Sequence, residues 1–178
     1  MITRVLILGS ICVFMISRLD SILSVGCSVS ISASGQYGVA CINDTAGNIY
    51  YTNDYGLNWT LSTYNAGVAA GDWQKIAISA SGQYQIAALL GATKGLYYSS
   101  NYGQTWTNIF PTFLGTPNGG NESIYYNGSW DIDISTSGQY IVALVCASSG
   151  DGTDGVLFLS TDYGNTFTEV SLPNDIST

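Results

Sequence analysis

The chain carries twelve Asp and Glu against four Lys and Arg, and no histidine. Its chemistry must come from carboxylates, amides, hydroxyls and aromatic rings. Without histidine there is no Ser/His/Asp triad, no Cys/His pair and no histidine-ligated metal. Two carboxylates about 5 to 10 Å apart can still hydrolyse a glycoside. Asp72, Asp151 and Asp154 are candidates, yet their spacing selects no pair. The run Asp151-Gly-Thr-Asp154-Gly could offer oxygens to calcium. It lacks the full spacing of an EF-hand loop, and an ordinary Gly-rich turn is the plainer reading. We therefore expect no metal and no cofactor.

The scaffold for these groups is 178 residues long, about one domain. The formal charge is −8, with 46% hydrophobic and only 9% charged residues. A surface this acidic does not bind nucleic-acid phosphates through a general basic patch. The chain is also too apolar for a disordered acidic tail. Residues 1–26 read as a secretory leader: Arg4, then an apolar run from Val5 to Ile16, ended by Arg18 and Asp20. Ser24 and Gly26 make a permissible cleavage site before Cys27. Cys27 as a new first residue is similar to a lipoprotein site, but Ser24 stands where that motif prefers Leu. An uncleaved anchor or a buried first strand are the alternatives, and an uncleaved leader would be the expected membrane contact. Cleavage would leave 2 Lys, 11 acids and no arginine. The expected location is secreted or cell-surface. Of Cys27, Cys41 and Cys146, one pair at most forms a disulfide. Cys27 and Cys41 flank a predicted hairpin and could face each other, but two small buried hydrophobes are the plainer reading. The four Asn-x-Ser/Thr sites, at Asn43, Asn58, Asn121 and Asn127, matter only in a eukaryotic host.

Internal self-similarity organises the rest. Ser-Gly-Gln-Tyr occurs at 34–37, 81–84 and 137–140. A second motif follows each copy: Thr52-x-Asp54-x-Gly56-x-Asn58-Trp59, then Ser99-x-Asn101-x-Gly103-x-Thr105-Trp106, then Ser160-x-Asp162-x-Gly164-x-Thr166-Phe167. The offset between motifs is 20, 20 and 25 residues, the extra five falling at 148–154. Each unit parses into four strands. The first alternates, as in Ile132 and Ile134 against Asp131 and Asp133. The second is apolar throughout, as in Ile86-Ala-Ala-Leu-Leu90, and should be covered on both faces. The third is aromatic, and the fourth carries the ring that ends the second motif. In that motif the Asp or Asn should accept backbone N–H bonds two residues on. Gly at the fifth position should take the positive φ, and the closing ring should pack between sheets. Asp54 and Asp162 tempt a catalytic reading. Asn101 in the middle copy argues against it, since an amide cannot exchange protons.

This second motif resembles the Asp-box, or BNR repeat, of sialidase-like and sortilin-like β-propellers. The resemblance covers residues 27–171, with Thr52, Asn58, Asn101 and Phe167 as its departures. It implies an all-β fold: three four-stranded antiparallel blades of a partial β-propeller, open or completed by oligomerisation. The expected units are blade 1 at 27–72, blade 2 at 73–129, blade 3 at 130–171, and a tail at 172–178. It further implies that Asp54, Gly56, Trp59, Asn101, Gly103, Trp106, Asp162, Gly164 and Phe167 are structural. Sialidase activity is the family's best-known chemistry, but sialidases clamp the substrate carboxylate with three arginines. The only arginines here are Arg4 and Arg18, in the leader. No catalytic residue carries over.

Three blades fall short of the usual four to eight. A second copy, further blades of a longer chain, or a docked protein could cover the open edges. Antiparallel blades put the two repeated turns at one end and the variable loops at the other. The loop end is the expected binding face, carrying Asp44, Asp72, Trp73, Glu122, Tyr125, Tyr126, Trp130, Asp151 and Asp154. Rings beside carboxylates and amides suit a sugar or a peptide. The expected function is a non-catalytic binding or scaffold module whose partner is protein or glycan. The alternatives are part of a glycoside hydrolase and a structural assembly protein.

Overall fold

The computed structural model describes residues 27–44, 46–64, 71–90, 95–109, 130–146 and 155–170. The expected leader, the 148–154 insertion, residue 171 and the expected tail at 172–178 lie outside them. The described residues are all-β. Strands β1 (Cys27–Ile31), β2 (Gly38–Ile42), β3 (Ile49–Thr52) and β4 (Thr60–Leu61) form one antiparallel sheet in chain order. A short β5 (Thr63–Tyr64) follows. The middle sheet has β6 (Asp72–Ile78), β7 (Gln85–Leu90), β8 (Gly95–Ser99) and β9 (Thr105–Asn108). The last has β10 (Trp130–Ile134), β11 (Ile141–Cys146), β12 (Gly155–Ser160) and β13 (Thr168–Val170).

The three sheets stack face to face, because the middle one alternates apolar side chains to both of its neighbours. In β7, Ala87 and Leu89 join a core shared with blade 1, alongside Val39, Cys41, Ile49, Trp73, Ile76, Tyr97 and Trp106. The intervening Ile86 and Ala88 join a second core with Ile132, Ile134, Ile141, Ala143, Val145 and Phe158 of blade 3. The apolar run of β7 is thus covered on both faces, as its composition requires.

Two features add to the expected pattern. After β4 the chain crosses to the neighbouring blade, and β5 adds to the middle sheet in parallel with β9, so that sheet has five strands. The Ser62 hydroxyl anchors the crossing by donating to the Gly103 carbonyl at 2.6 Å. Second, the β1–β2 register sets Cys27 opposite Ile42, whereas Cys41 faces Ser28. The two cysteines are therefore one step out of register, and Cys41 is a buried thiol in the core shared with blade 2.

Candidate functional site

Two ends of the stack compete for function, and the repeated turns occupy one of them. In the first turn, the Thr52 hydroxyl donates to Asp54 Oδ1 at 2.8 Å and accepts from Gly56 N–H at 3.1 Å. Asp54 Oδ1 also accepts from Asn58 N–H at 2.9 Å, and Oδ2 from the Asn58 amide at 2.6 Å. The third turn repeats this: Ser160 to Asp162 Oδ1 at 2.9 Å, Thr166 N–H to Oδ1 at 2.9 Å, Thr166 hydroxyl to Oδ2 at 2.6 Å. In the middle turn, Asn101 Oδ1 accepts from Ser99 and from Thr105 N–H, both at 3.0 Å, while its amide donates to Thr105 Oγ1 at 2.9 Å. Both carboxylates are consequently held below their ordinary 3.8: Asp54 chiefly by the Asn58 backbone N–H, Asp162 chiefly by the Thr166 hydroxyl. A carboxylate bonded at both oxygens by its own turn is poorly suited to proton transfer.

This geometry corrects the expected detail. The acid or amide bonds the N–H four residues on, not two, and the leading Ser or Thr holds the glycine. Nor does glycine alone carry the positive φ. Tyr55, Tyr102 and Tyr163 precede Gly56, Gly103 and Gly164 with φ of 62°, 62° and 61°. A non-Gly residue there is strained by about 1–2 kcal/mol. Two of the three rings are packed: Tyr102 lies 4.4 Å from Tyr37, and Tyr163 lies 5.0 Å from Tyr84, each across a blade boundary, while Tyr55 is exposed. The same end is tied within each blade, because Tyr55, Tyr102 and Tyr163 N–H donate to the carbonyls of Gln36, Gln83 and Gln139. A serine two residues before each Ser-Gly-Gln-Tyr was also missed. Ser32, Ser79 and Ser135 accept from the N–H of Tyr37, Tyr84 and Tyr140. Its presence in all three copies was the available signal.

Of the closing rings, Trp106 is fully buried and donates to the Gly103 carbonyl at 3.1 Å. Phe167 packs on the core between blades 2 and 3. Trp59 is half-buried at the outer face of blade 1, beside Gly38.

At the other end, the seam between blades 1 and 2 is stitched by backbone. Asn43 and Asp72 form an antiparallel bridge, and Gly71 N–H donates to the Gly47 carbonyl at 2.8 Å. Gly47 admits no side chain, since a Cβ would collide with the carbonyls of Ile42 and Gly71. The seam presents Asp44, exposed, and Asp72, half-buried and accepting from Gln74 Nε2 at 3.0 Å. Trp73, expected just inside the binding face, is fully buried. It stacks on Tyr64 at 5.9 Å and meets Tyr97 edge-on at 5.0 Å. Its place after the bridged Asp72 turns it into the core, so it is a packing residue. Trp130 begins β10, with Val145 as its backbone partner. Glu122, Tyr125, Tyr126, Asp151 and Asp154 lie outside the described residues. Among the described residues, no cluster of three His, Cys, Asp or Glu could hold a metal.

No protein-family model matches the chain, and no curated protein matches it by sequence. Solved structures do. The GH74 enzyme of Niastella koreensis superposes with a TM-score of 0.54 and 20% identity, over 86% of this chain and 19% of that one. The GH74 xyloglucanase of Xanthomonas campestris gives 0.52 and 20%, over 82% and 18%. A structure of the nidogen/laminin complex gives 0.56 and 11%, over 83% and 48%. At these identities the likeness shows the fold, which is three antiparallel blades of a partial β-propeller. The chain spans a fifth to a half of the length of these neighbours.

Proposed function

We propose that the chain is a non-catalytic binding module of Asp-box repeats, exported from the cell, whose loop end takes a protein or glycan partner. The observation that carries this is the locked state of the recurring carboxylates. Asp54 and Asp162 spend both oxygens on their own turns, and Asn101 fills the same place without a titratable group. At the variable end, Asp44, exposed, and Asp72, half-buried, sit on a braced seam. The nidogen/laminin complex, solved with its propeller in a protein assembly, favours a protein partner.

Glycan-array and peptide-display binding with the purified chain tests the reading, together with hydrolysis assays on xyloglucan and a sialyl reporter. Saturable binding weakened by Asp44→Ala or Asp72→Ala, and untouched by Asp54→Asn, supports it. Turnover of either substrate that is lost in Asp72→Asn overturns it and favours the glycoside hydrolase reading.

A further inference from the structure

The repeats act as their own control for which surfaces a blade covers. Val29 of β1 corresponds to Ile76 of β6 and Ile132 of β10. The latter two are 6% and 9% exposed against a preceding blade, whereas Val29 is 45% exposed. Ile31, corresponding to Ile78 and Ile134, stands out in the same way on the same face. The opposite face of blade 3 shows the converse. Val142 is 37% exposed, where its counterparts Val39 and Ile86 are fully buried by a following blade.

The exposed tyrosines match as well. Tyr37 packs against Gly82 and the Tyr102 ring of the next blade, and Tyr84 packs against Gly138 and Tyr163 in the same way. Each glycine is required, because a Cβ there would collide with the tyrosine. Tyr140 comes next in the series and is 49% exposed. The matching acceptors are Gly35, where an added Cβ would meet only the Tyr55 ring, at 4.0 Å, and Tyr55 itself, 63% exposed. They lie at the other end of the stack. A backbone ladder runs the same way, Ala33 N–H to the Ala80 carbonyl at 3.0 Å and Ala80 N–H to the Thr136 carbonyl at 3.1 Å. Its next rung would join Thr136 N–H to an Ala33 carbonyl.

We propose that two copies of this chain join head to tail, blade 3 of each seating Tyr140 and Val142 against Gly35, Tyr55, Val29 and Ile31 of the other. The contact continues one the molecule already makes twice, between blades 1 and 2 and between blades 2 and 3. A heterologous contact whose rotation closes makes a ring, and two copies of the three described blades give six, inside the range propellers occupy. The open faces are apolar at their centres, so packing rather than charge holds them. The one ion pair across a blade boundary among the described residues, Lys75 to Asp131 at 3.6 Å, is exposed on both sides and contributes little.

Size-exclusion chromatography with light scattering on the full chain tests this. The expected mass is twice that of one chain and is not lowered by high salt. Tyr140→Asp spoils the tail, and Ile31→Asp spoils the head. Both positions are exposed in the single copy, so far-UV circular dichroism should stay that of the parent. Each variant alone should raise the dimer Kd at least about 30-fold, as for loss of an interface hot spot. An equal mixture of the two should recover dimer, because one intact head then meets one intact tail. A chain that stays monomeric at every concentration overturns the proposal. So does a dimer that survives both substitutions, which would place the contact elsewhere, or a mixture that fails to recover, which would exclude a head-to-tail arrangement.

Discussion

At the residue scale, the repeated turn shows how an amide and a carboxylate become interchangeable. What the turn needs is an acceptor for the leading hydroxyl and for the N–H four residues on. Asn101 supplies both through one oxygen. The carboxylate differs in accepting at its second oxygen, where the Asn101 amide donates, and in its response to acid. The folded chain holds Asp54 and Asp162 below their ordinary 3.8. Their contribution to stability is therefore complete above that value and is lost as pH falls through the lowered folded value. Thermal melts followed by circular dichroism from about pH 6 to about pH 2 should show an acid limb beginning below the ordinary carboxylate range. The double variant Asp54→Asn with Asp162→Asn should match the parent melting temperature near neutrality and show a flatter limb. An unchanged acid limb would mean that the turns do not bind the ionised form more tightly.

At the element scale, strand pairing within each blade was legible because period-two alternation and a doubly apolar second strand survive in every copy. The crossing of Thr63 and Tyr64 into the middle sheet was not legible. Two residues are too short for a periodic signal, and their bonds go to residues forty positions away. Trp73 misled for a related reason. Its neighbours in sequence are polar, and only the Asn43–Asp72 bridge shows that the following side chain turns inward. Tyr64 carries this crossing energetically. Its phenol oxygen accepts the N–H of buried Ile49 at 2.9 Å, and its ring stacks on Trp73. Burial pushes the phenol up to about 12, although the Ile49 N–H opposes the rise. Tyr64→Phe keeps the ring and orphans that donor, so urea unfolding should report a loss of about 1–3 kcal/mol. In the parent, ultraviolet titration should find partly buried tyrosines ionising above the ordinary 10, Tyr64 and Tyr98 among them, with one fewer in the variant. A loss too small to measure would show that water replaces the phenol at Ile49.

At the scale of the whole molecule, stability should follow how many faces of a blade are covered. The middle blade has a core on each side, with Ile86, Ala87, Ala88 and Leu89 all fully buried. The outer blades each have one covered face and one that bears Val29 and Ile31, or Tyr140 and Val142. Local opening costs least where few apolar contacts must break. In a chain held monomeric by Ile31→Asp, amide exchange should be slowest along β7 and faster in both β2 and β11. In the parent at high concentration, a head-to-tail partner covers the outer faces. Protection of β2 and β11 should then rise toward that of β7, and the melting temperature should climb with concentration by mass action. A covered face and an open one differ by side chains of the same type at the same strand position. The exchange profile therefore reads closure of the ring directly, separately from any ligand the loops hold. Equal protection of the three blades in the monomer would break the link between face coverage and stability on which this ordering rests.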